Sequence, residues 1–291
     1  REPAPVVGAP PKLTFDYPNP APCTPPESGV CSCRIEPTAR REVWRSSHPC
    51  ILRGVLIHMK KSTLIKIVKF LLHHLTRTEY VGLENFPKQG AVIIALNHLS
   101  QMDTPVMLAQ PARSDLTALV TDKYQNFAFM RWFVDSAEGI WIDRDRADFG
   151  AFRSGIEVLK SGRPLGIAPE GTRSKNAKLL PGKPGVNLLA MKSGAPIMPV
   201  ALTGTEHAFR KIFTLRKPHI MVRFGKPFHL PPLDRENRDE ALQRMTDEIM
   251  CRIAVMLPPE YRGAYENHPR LLELLEDPEV VLQKDASRVR L

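Results

Sequence analysis

The sequence predicts an α/β protein with a mostly parallel central sheet and helices on both faces of that sheet. Short apolar runs alternate with segments of helical spacing from about residue 80 to residue 256. The run from Ala91 to Leu96 is rich in Val and Ile and short, as expected for a buried parallel strand. Strands separated by helices at this interval favour parallel pairing. The length of 291 residues suits one large domain with appendages.

The elements follow from these runs in order. The predicted strands are Val81–Leu83, Ala91–Leu96, Leu116–Val120, Gly139–Ile142, Pro164–Ala168, Ile197–Leu202 and His219–Phe224. The predicted helices are Thr104–Ala109, Phe127–Ala137, Phe149–Lys160, Val186–Lys192, Arg235–Met256 and Leu271–Leu275. Pro199 lies inside an apolar run, which predicts either a strand at the sheet edge or a bulge.

The ends of the chain differ from this pattern. Residues 1–58 hold four of the five cysteines and at least 11 of the 28 prolines, without a periodic apolar face. They are predicted to be a disordered extension upstream of a natural start at Met59. Because the cysteine spacing lacks a C-x-x-C pair, we do not expect a zinc site there. Residues 80–262 are expected to form the folded domain, and residues 263–291 a polar C-terminal tail.

Residues 59–79 are predicted to form a basic amphipathic helix. One stripe at helical spacing is apolar, and lysines lie beside it. The stripe consists of Leu64, Ile67, Val68, Leu71, Leu72 and Leu75. Two interpretations remain open: the helix packs on the domain core, or it lies in a bilayer interface with its lysines on lipid phosphates. It is too short and too charged to span a membrane.

The formal net charge of +10 indicates an anionic binding partner. Basic chains meet nucleic acid, anionic membrane surfaces or phosphorylated small molecules. Basic runs interleaved with aromatic residues, typical of single-strand binding, are missing, so we do not expect a nucleic-acid partner. An anionic membrane surface is the expected macromolecular partner.

The first chemical motif follows the Ala91–Leu96 run. His98 is separated from Asp103 by five residues, which on a regular helix turns the two side chains about 140° apart. They meet only if the chain turns between the strand and a helix that has Pro105 in its first turn. A carboxylate that holds one ring N–H of a histidine makes the imidazole a general base. By itself the spacing is more typical of a polar loop after a strand than of a catalytic pair.

Two later strand ends carry charge in the same way. Arg144 follows the Gly139–Ile142 run, where a guanidinium fits a phosphate. The segment from Pro169 to Ser174 offers Glu170, a glycine and Arg173 within a few residues. Gly171 permits close approach of a ligand, and Glu170 is expected to orient an acceptor hydroxyl or to hold Arg173. A solvated Asp/Arg cluster is the simpler interpretation of the Arg144 region.

Four blocks in this order resemble the lysophospholipid and glycerolipid acyltransferase family. They are Asn97-His98-x4-Asp103, Gly139 to Arg144, Pro169-Glu-Gly-Thr-Arg-Ser174 and Ile197-Met-Pro-Val200. The resemblance covers roughly residues 80 to 230. It implies that His98 is the base and Asp103 its orienting partner. It also implies that acceptor binding falls to Lys123, Arg144, Glu170, Gly171, Thr172 and Arg173.

The resemblance implies a reaction as well. A fatty acyl group would move from acyl-CoA or acyl carrier protein to the free hydroxyl of 1-acylglycerol 3-phosphate, giving phosphatidic acid. No cofactor is expected, and no metal site, because His98 and Asp103 supply too few ligands. The protein would work as a peripheral or monotopic protein on the cytoplasmic face of a membrane. The alternatives are acylation of glycerol 3-phosphate or another lysolipid, and a non-catalytic lipid-binding protein.

Overall fold

An eight-stranded sheet forms the centre of the part of the chain that the structure describes. The structure is a computed structural model and describes residues 59–143, 148–234, 236–277 and 287–291. The strands are β1 (Arg77–Val81), β2 (Val92–Leu96), β3 (Thr117–Thr121), β4 (Ile140–Ile142), β5 (Pro164–Ile167), β6 (Ile197–Thr203), β7 (His219–Phe224) and β8 (Arg288–Arg290). The helices are α1 (Lys61–Leu75), α2 (Asp103–Leu108), α3 (Ala128–Ser136), α4 (Phe149–Lys160), α5 (Gly185–Ser193), α6 (Ala208–Phe213), α7 (Arg238–Met256) and α8 (Pro269–Glu276).

The strand order is β4-β3-β5-β2-β6-β7-β1-β8. All pairs from β4 to β6 are parallel, so the carboxyl ends of these strands lie at one edge of the sheet. Strand β7 runs antiparallel to β6, and β1 runs parallel to β7. The amino ends of β1 and β7 therefore lie at that same edge. The predicted α/β class with a mostly parallel sheet is confirmed, with antiparallel pairs at β6–β7 and β1–β8.

Two helical layers cover the sheet because its strands are apolar on both faces. One apolar cluster joins α1, α2, α3 and α6 to alternate residues of the strands, such as Val92 and Ile94. The other joins α4, α5, α7 and α8 to the opposite face through Ile93 and Ala95. The neighbouring residues of β2 thus point into different halves of the core, as the period of two requires.

Helix α1 ends earlier than the sequence predicts. Its last residue is Leu75, and the next residue, Thr76, has an extended backbone. The Thr76 hydroxyl donates to the carbonyl of Leu72 at 2.6 Å, and β1 begins at Arg77. The predicted helix to residue 79 and the predicted strand at Val81–Leu83 are therefore both displaced. β-branched residues at 76 and 78 fit an extended chain better than a helix.

The apolar stripe of α1 is divided between the core and the surface. Leu64, Val68 and Leu72 are buried against the first cluster. Leu71 and Leu75 are exposed, as are Ile67 and Phe70 on the same outer side. The interpretation of core packing therefore accounts for half of the apolar residues. None of the described helices is long and apolar enough to cross a bilayer.

Pro199 lies in a central strand, so the alternative of a sheet edge is wrong. Strand β6 pairs with β2 on one side and with β7 on the other. The Pro199 carbonyl accepts from the Gly225 N–H at 2.9 Å, which places the missing proline donor on the β7 side. There the ladder is interrupted: Val200 pairs with Phe224, whereas Ile197 pairs with Phe228. The extra residue on the partner strand is the predicted bulge.

The C-terminal region contains one predicted element and one that the sequence does not predict. The predicted helix Leu271–Leu275 is α8, which packs on α7 through Leu271 and Leu274, whereas β8, which pairs with β1 at the end of the sheet, is not predicted. The sequence Arg-Val-Arg of β8 has no apolar run from which a strand could be inferred. The predicted extension 1–58 and Arg144 lie outside the described residues. So does Arg235, with which the helix that forms as α7 is predicted to begin.

Candidate active site

His98 and Asp103 meet at the carboxyl edge of the sheet. Strand β2 ends at Leu96, the chain turns, and α2 begins at Asp103 with Pro105 in its first turn. The His98 Nδ1 lies 2.7 Å from the Asp103 Oδ2. The Asp103 side chain is 1% exposed and that of His98 is 17% exposed. The turn predicted between the two residues is present, and it leaves the Nε2 side of the imidazole on the cleft.

Asp103 is held on every side. Its Oδ2 also accepts from the backbone N–H groups of Leu99 and Ser100, at 2.7 and 2.9 Å. Its Oδ1 accepts from the hydroxyl of Thr205 at 2.5 Å. A buried carboxylate is tolerated when hydrogen bonds replace its hydration. The four donors fix the position of the carboxylate and, through it, the plane of the imidazole.

The loop after β5 grips the backbone of His98 from both sides. The His98 N–H donates to the Glu170 Oε1 at 2.9 Å. The His98 carbonyl accepts from the N–H of Ser174, also at 2.9 Å. The other oxygen of Glu170 accepts from the N–H of Leu180 at 2.9 Å. Both oxygens of Glu170 are thus bonded to backbone N–H groups, rather than to Arg173 or to an acceptor hydroxyl as the sequence predicts. These contacts hold the backbone of His98 in place.

Glu170 is almost fully buried, which changes its acidity. Burial raises the pKa of its carboxyl to about 7, and the negative charge of Asp103 acts in the same direction. The hydrogen bonds from His98 and Leu180 oppose the shift because they favour the ionised form. Glu170 thus changes protonation state near neutral pH, directly beneath the histidine.

Cationic side chains line one part of the cleft. Arg173 donates to the Tyr124 hydroxyl, and its guanidinium lies 5.6 Å from the centre of the same ring. Lys123 and Thr172 line the same cleft, and both are exposed. The predicted binding residues 123, 172 and 173 are therefore brought together with His98. Arg144 lies outside the described residues, so its predicted role stays a prediction.

Gly171 has a backbone that a side chain would disturb. Its φ of +68° is left-handed, where glycine is unstrained. A Cβ at this position would lie 3.0 Å from the Cδ of Lys183. Lys183 packs over the glycine at the mouth of the cleft, just before α5. The glycine thus lets a lysine lie directly against the loop that holds His98.

The cleft itself has a volume of about 800 Å³ and mostly apolar walls. One wall is made by the outer side of α1, including Leu71 and Leu75. Others come from α3 and α6, through Phe129 and Phe213. A smaller pocket of about 80 Å³ continues from His98 into the core between β3 and α3. The site thus combines a histidine–aspartate pair, nearby cations and a long apolar surface.

Thr205 is a functional candidate that sequence reasoning missed, whereas the segment Lys183–Gly185 was recognised only as the start of a helix. Thr205 follows β6 and is separated from Asp103 by 102 residues, so no local spacing connects them. The only available signal was its place just after the fourth block. Lys183 precedes a helix whose amino end is a recognisable anion site in the sequence, yet its packing against Gly171 becomes visible only in three dimensions.

Comparison with known proteins finds similarity to acyltransferases. A family model described as "Acyltransferase" matches residues 77–203. The 1-acyl-sn-glycerol-3-phosphate acyltransferase of Borreliella burgdorferi is 32% identical over 132 residues, which are 45% of this chain and 52% of the relative. The enzyme of that name from Saccharomyces cerevisiae is 31% identical over 178 residues, 58% of this chain and 57% of the relative.

The coverage of these relatives is partial. The chain spans about half the length of these two relatives, and 83% of a Bacillus subtilis relative of the same name that is 25% identical. The crystal structure of the 1-acyl-sn-glycerophosphate acyltransferase from Thermotoga maritima is similar with a TM-score of 0.49 and 24% identity, over 65% of this chain and 79% of that one. The segment that the family model matches, residues 77–203, contains all four sequence blocks and most of the site. The chain is thus similar to the acyltransferase family over residues 77–203, and to 1-acyl-sn-glycerol-3-phosphate acyltransferases over part of their length.

Proposed function

We propose that this chain transfers a fatty acyl group from a thioester to the free hydroxyl of 1-acylglycerol 3-phosphate and so produces phosphatidic acid. The observation that carries the proposal is the His98–Asp103 pair, 2.7 Å apart, at the floor of a cleft with apolar walls and nearby cations. The names of the relatives support the same acceptor. The donor is acyl-CoA or acyl carrier protein.

His98 is the proposed general base. The Nδ1–H of His98 donates a hydrogen bond to the Asp103 carboxylate, which leaves the Nε2 lone pair towards the cleft. The acceptor hydroxyl loses its proton to Nε2 as its oxygen attacks the thioester carbonyl carbon. The carbon–sulfur bond then breaks, and the thiolate leaves with the electron pair and takes up a proton. A thiol pKa of about 8.5 makes the thiolate a good leaving group, so no nucleophilic side chain is required.

The cleft favours an acceptor that already carries one acyl chain. Its walls are mostly apolar along α1, α3 and α6, which suits a lipid tail better than bare glycerol 3-phosphate. Arg173 and Lys123 lie where a phosphate would meet positive charge. An acceptor panel with one labelled donor tests this choice: 1-acylglycerol 3-phosphate should be acylated with a higher kcat/KM than glycerol 3-phosphate.

Substitution of the base is the direct test of the mechanism. His98→Ala should lower kcat at least about a hundredfold, because general-base catalysis contributes roughly that much or more. The thermal midpoint should change little, since the imidazole is partly exposed and the carboxylate keeps three other donors. Near-normal turnover by the folded variant would refute the assignment. The measurement is initial-rate kinetics together with thermal unfolding.

A further inference from the structure

A short segment after β6 exposes large apolar side chains beside the cleft. We call residues 207–217 the α6 tip; they comprise α6 and the turn that leads towards β7. Phe213 is 84% exposed and Leu215 is 96% exposed. Phe209 is also exposed, at 45%. Side chains of this size at a projecting turn expose apolar surface to water unless a membrane or another protein covers it.

Leu215 combines this exposure with a strained backbone. Its φ of +55° is left-handed, a conformation that is costly for a branched side chain such as leucine. The N–H of Leu215 donates to the carbonyl of Ile212 at 3.0 Å, and that of Arg216 donates to Lys211 at 2.8 Å. These two bonds form a Schellman motif, in which the left-handed position is usually glycine or asparagine. An exposed leucine at this position stabilises neither the turn nor the core.

The α6 tip is uniformly basic. It carries Arg210, Lys211, Arg216 and Lys217, and there is no acidic residue from His207 to His219. Its last lysine lines a second surface cleft with residues from the end of α1 and the start of β1, among them His73 and Arg77. Positive charge therefore continues from the tip to the neighbouring elements. Such charge complements anionic lipid headgroups.

The position of the tip links it to the cleft. Helix α6 follows the carboxyl end of β6, at the edge of the sheet where His98 lies. Phe209 and Ile212 line the same cleft as Leu71 and Leu75 on the outer side of α1. Two apolar surfaces, one from α1 and one from α6, thus border the entrance to the site.

We propose that the α6 tip is a second membrane-contact element, which inserts Phe213 and Leu215 into the interface of an anionic bilayer independently of α1. The inference rests on the proposed acyltransferase function only in its purpose, which is to place the cleft entrance against the lipid that supplies the acceptor. The arginines and lysines remain at the headgroups, and the apolar side chains reach the acyl boundary. On this proposal, the strained leucine at position 215 serves membrane binding rather than the stability of the fold.

The decisive variant is Leu215→Asn in the full chain. Asparagine tolerates the left-handed backbone, so the thermal midpoint should stay equal or rise, whereas vesicle partitioning should fall about tenfold through loss of one buried apolar side chain. Flotation with vesicles of phosphatidylcholine and phosphatidylserine measures the partitioning. The matched control is Leu272→Asn, which removes a half-exposed leucine from α8 in the other helical layer. Equal partitioning of wild type and Leu215→Asn would overturn the proposal.

A second arm tests charge and a third tests catalysis. Arg216→Ser should weaken binding to anionic vesicles about fivefold, with little change on pure phosphatidylcholine.

With a short-chain, water-soluble acceptor and no vesicles, Leu215→Asn should retain the kcat/KM of the wild type. Loss of that soluble activity, or a concentration-dependent dimer in the wild type that Leu215→Asn abolishes, would overturn the proposal in favour of a catalytic or self-association role. If the wild type acylates no acceptor at all, the acyltransferase proposal fails while the flotation result still decides the role of the tip.

Discussion

Thr205 shows how much of the site depends on a single hydroxyl outside the sequence blocks. Its side chain is buried and donates to the Asp103 oxygen that His98 does not use. Without this donor, the oxygen would be buried with no partner in its place. The carboxylate would then rotate towards other donors, and the imidazole that it holds would follow.

We expect Thr205→Val to lower kcat by about tenfold with little change in KM, because valine has the same shape but leaves the Asp103 oxygen unpaired, a cost of about 1–3 kcal/mol. Initial rates over a range of acceptor concentrations provide the measurement. Thr205→Ser keeps the donor and should restore most of the rate. If both variants behave alike, the hydroxyl is only a packing group.

The residue scale is also where the sequence was most and least informative. The contact of His98 with Asp103 could be predicted on the condition that the chain turns between the strand and a helix with proline in its first turn, and the structure contains that turn. The contacts of Glu170 were not predictable, since they depend on the pairing of β2 with β5 across 72 residues. Sequence order alone gives neither the loop conformation nor which backbone groups need a partner.

At the scale of elements, Asn97 joins β2 to β6 beyond the end of the regular ladder. Its amide donates to the Leu202 carbonyl at 3.0 Å and accepts from the Leu202 N–H at 2.7 Å. The side chain thus imitates one more backbone pair between the strands. It fixes the spacing between the turn that carries His98 and the strand that leads to Thr205.

Asn97→Ala should lower the free energy of unfolding by about 2–4 kcal/mol, because it leaves two buried backbone groups unpaired at about 1–3 kcal/mol each. Denaturant unfolding would measure the change. As a control, Asn237→Ala removes an exposed amide that makes no capping bond to α7, and its effect should stay within about 0.5 kcal/mol. Comparable values for the two variants would contradict the role assigned to Asn97.

Element boundaries followed the apolar runs wherever those runs were long. Strands β2 and β6 and helices α4 and α7 lie close to their predicted positions. The exceptions are the end of α1, which a pair of threonines sets, the helix α6, which has no predicted counterpart, and the three-residue strand β8, whose partner β1 supplies the pairing. The antiparallel pairing of β6 with β7 was also not predictable, because the residues of a buried strand do not indicate in which direction its neighbour runs.

For the molecule as a whole, the raised pKa of Glu170 couples stability to pH. The folded protein keeps the proton up to a pKa of about 7, whereas an unfolded glutamate loses it near its ordinary value of 4.5. Between these values the folded state binds more protons, so this group contributes most stability below about pH 4.5 and progressively less as the pH rises to 7.

We therefore expect the free energy of unfolding of the wild type, minus that of Glu170→Gln, to decrease as the pH rises from 4.5 to 7. The decrease should be on the order of 3 kcal/mol. Urea unfolding at several pH values gives this difference directly. The neutral amide cannot titrate, so it isolates the contribution of the carboxyl from that of other groups. A difference that is constant across this range would show that Glu170 is ionised throughout.

The grip of the 169–174 loop on His98 has a consequence for the chain during its synthesis. The histidine leaves the ribosome 72 residues ahead of the glutamate that holds its backbone. Until that later segment has emerged and docked, the backbone N–H and carbonyl of His98 lack the partners that Glu170 and Ser174 supply. The arrangement around His98 is therefore complete only after β5 has paired with β2 and the loop that follows it has docked.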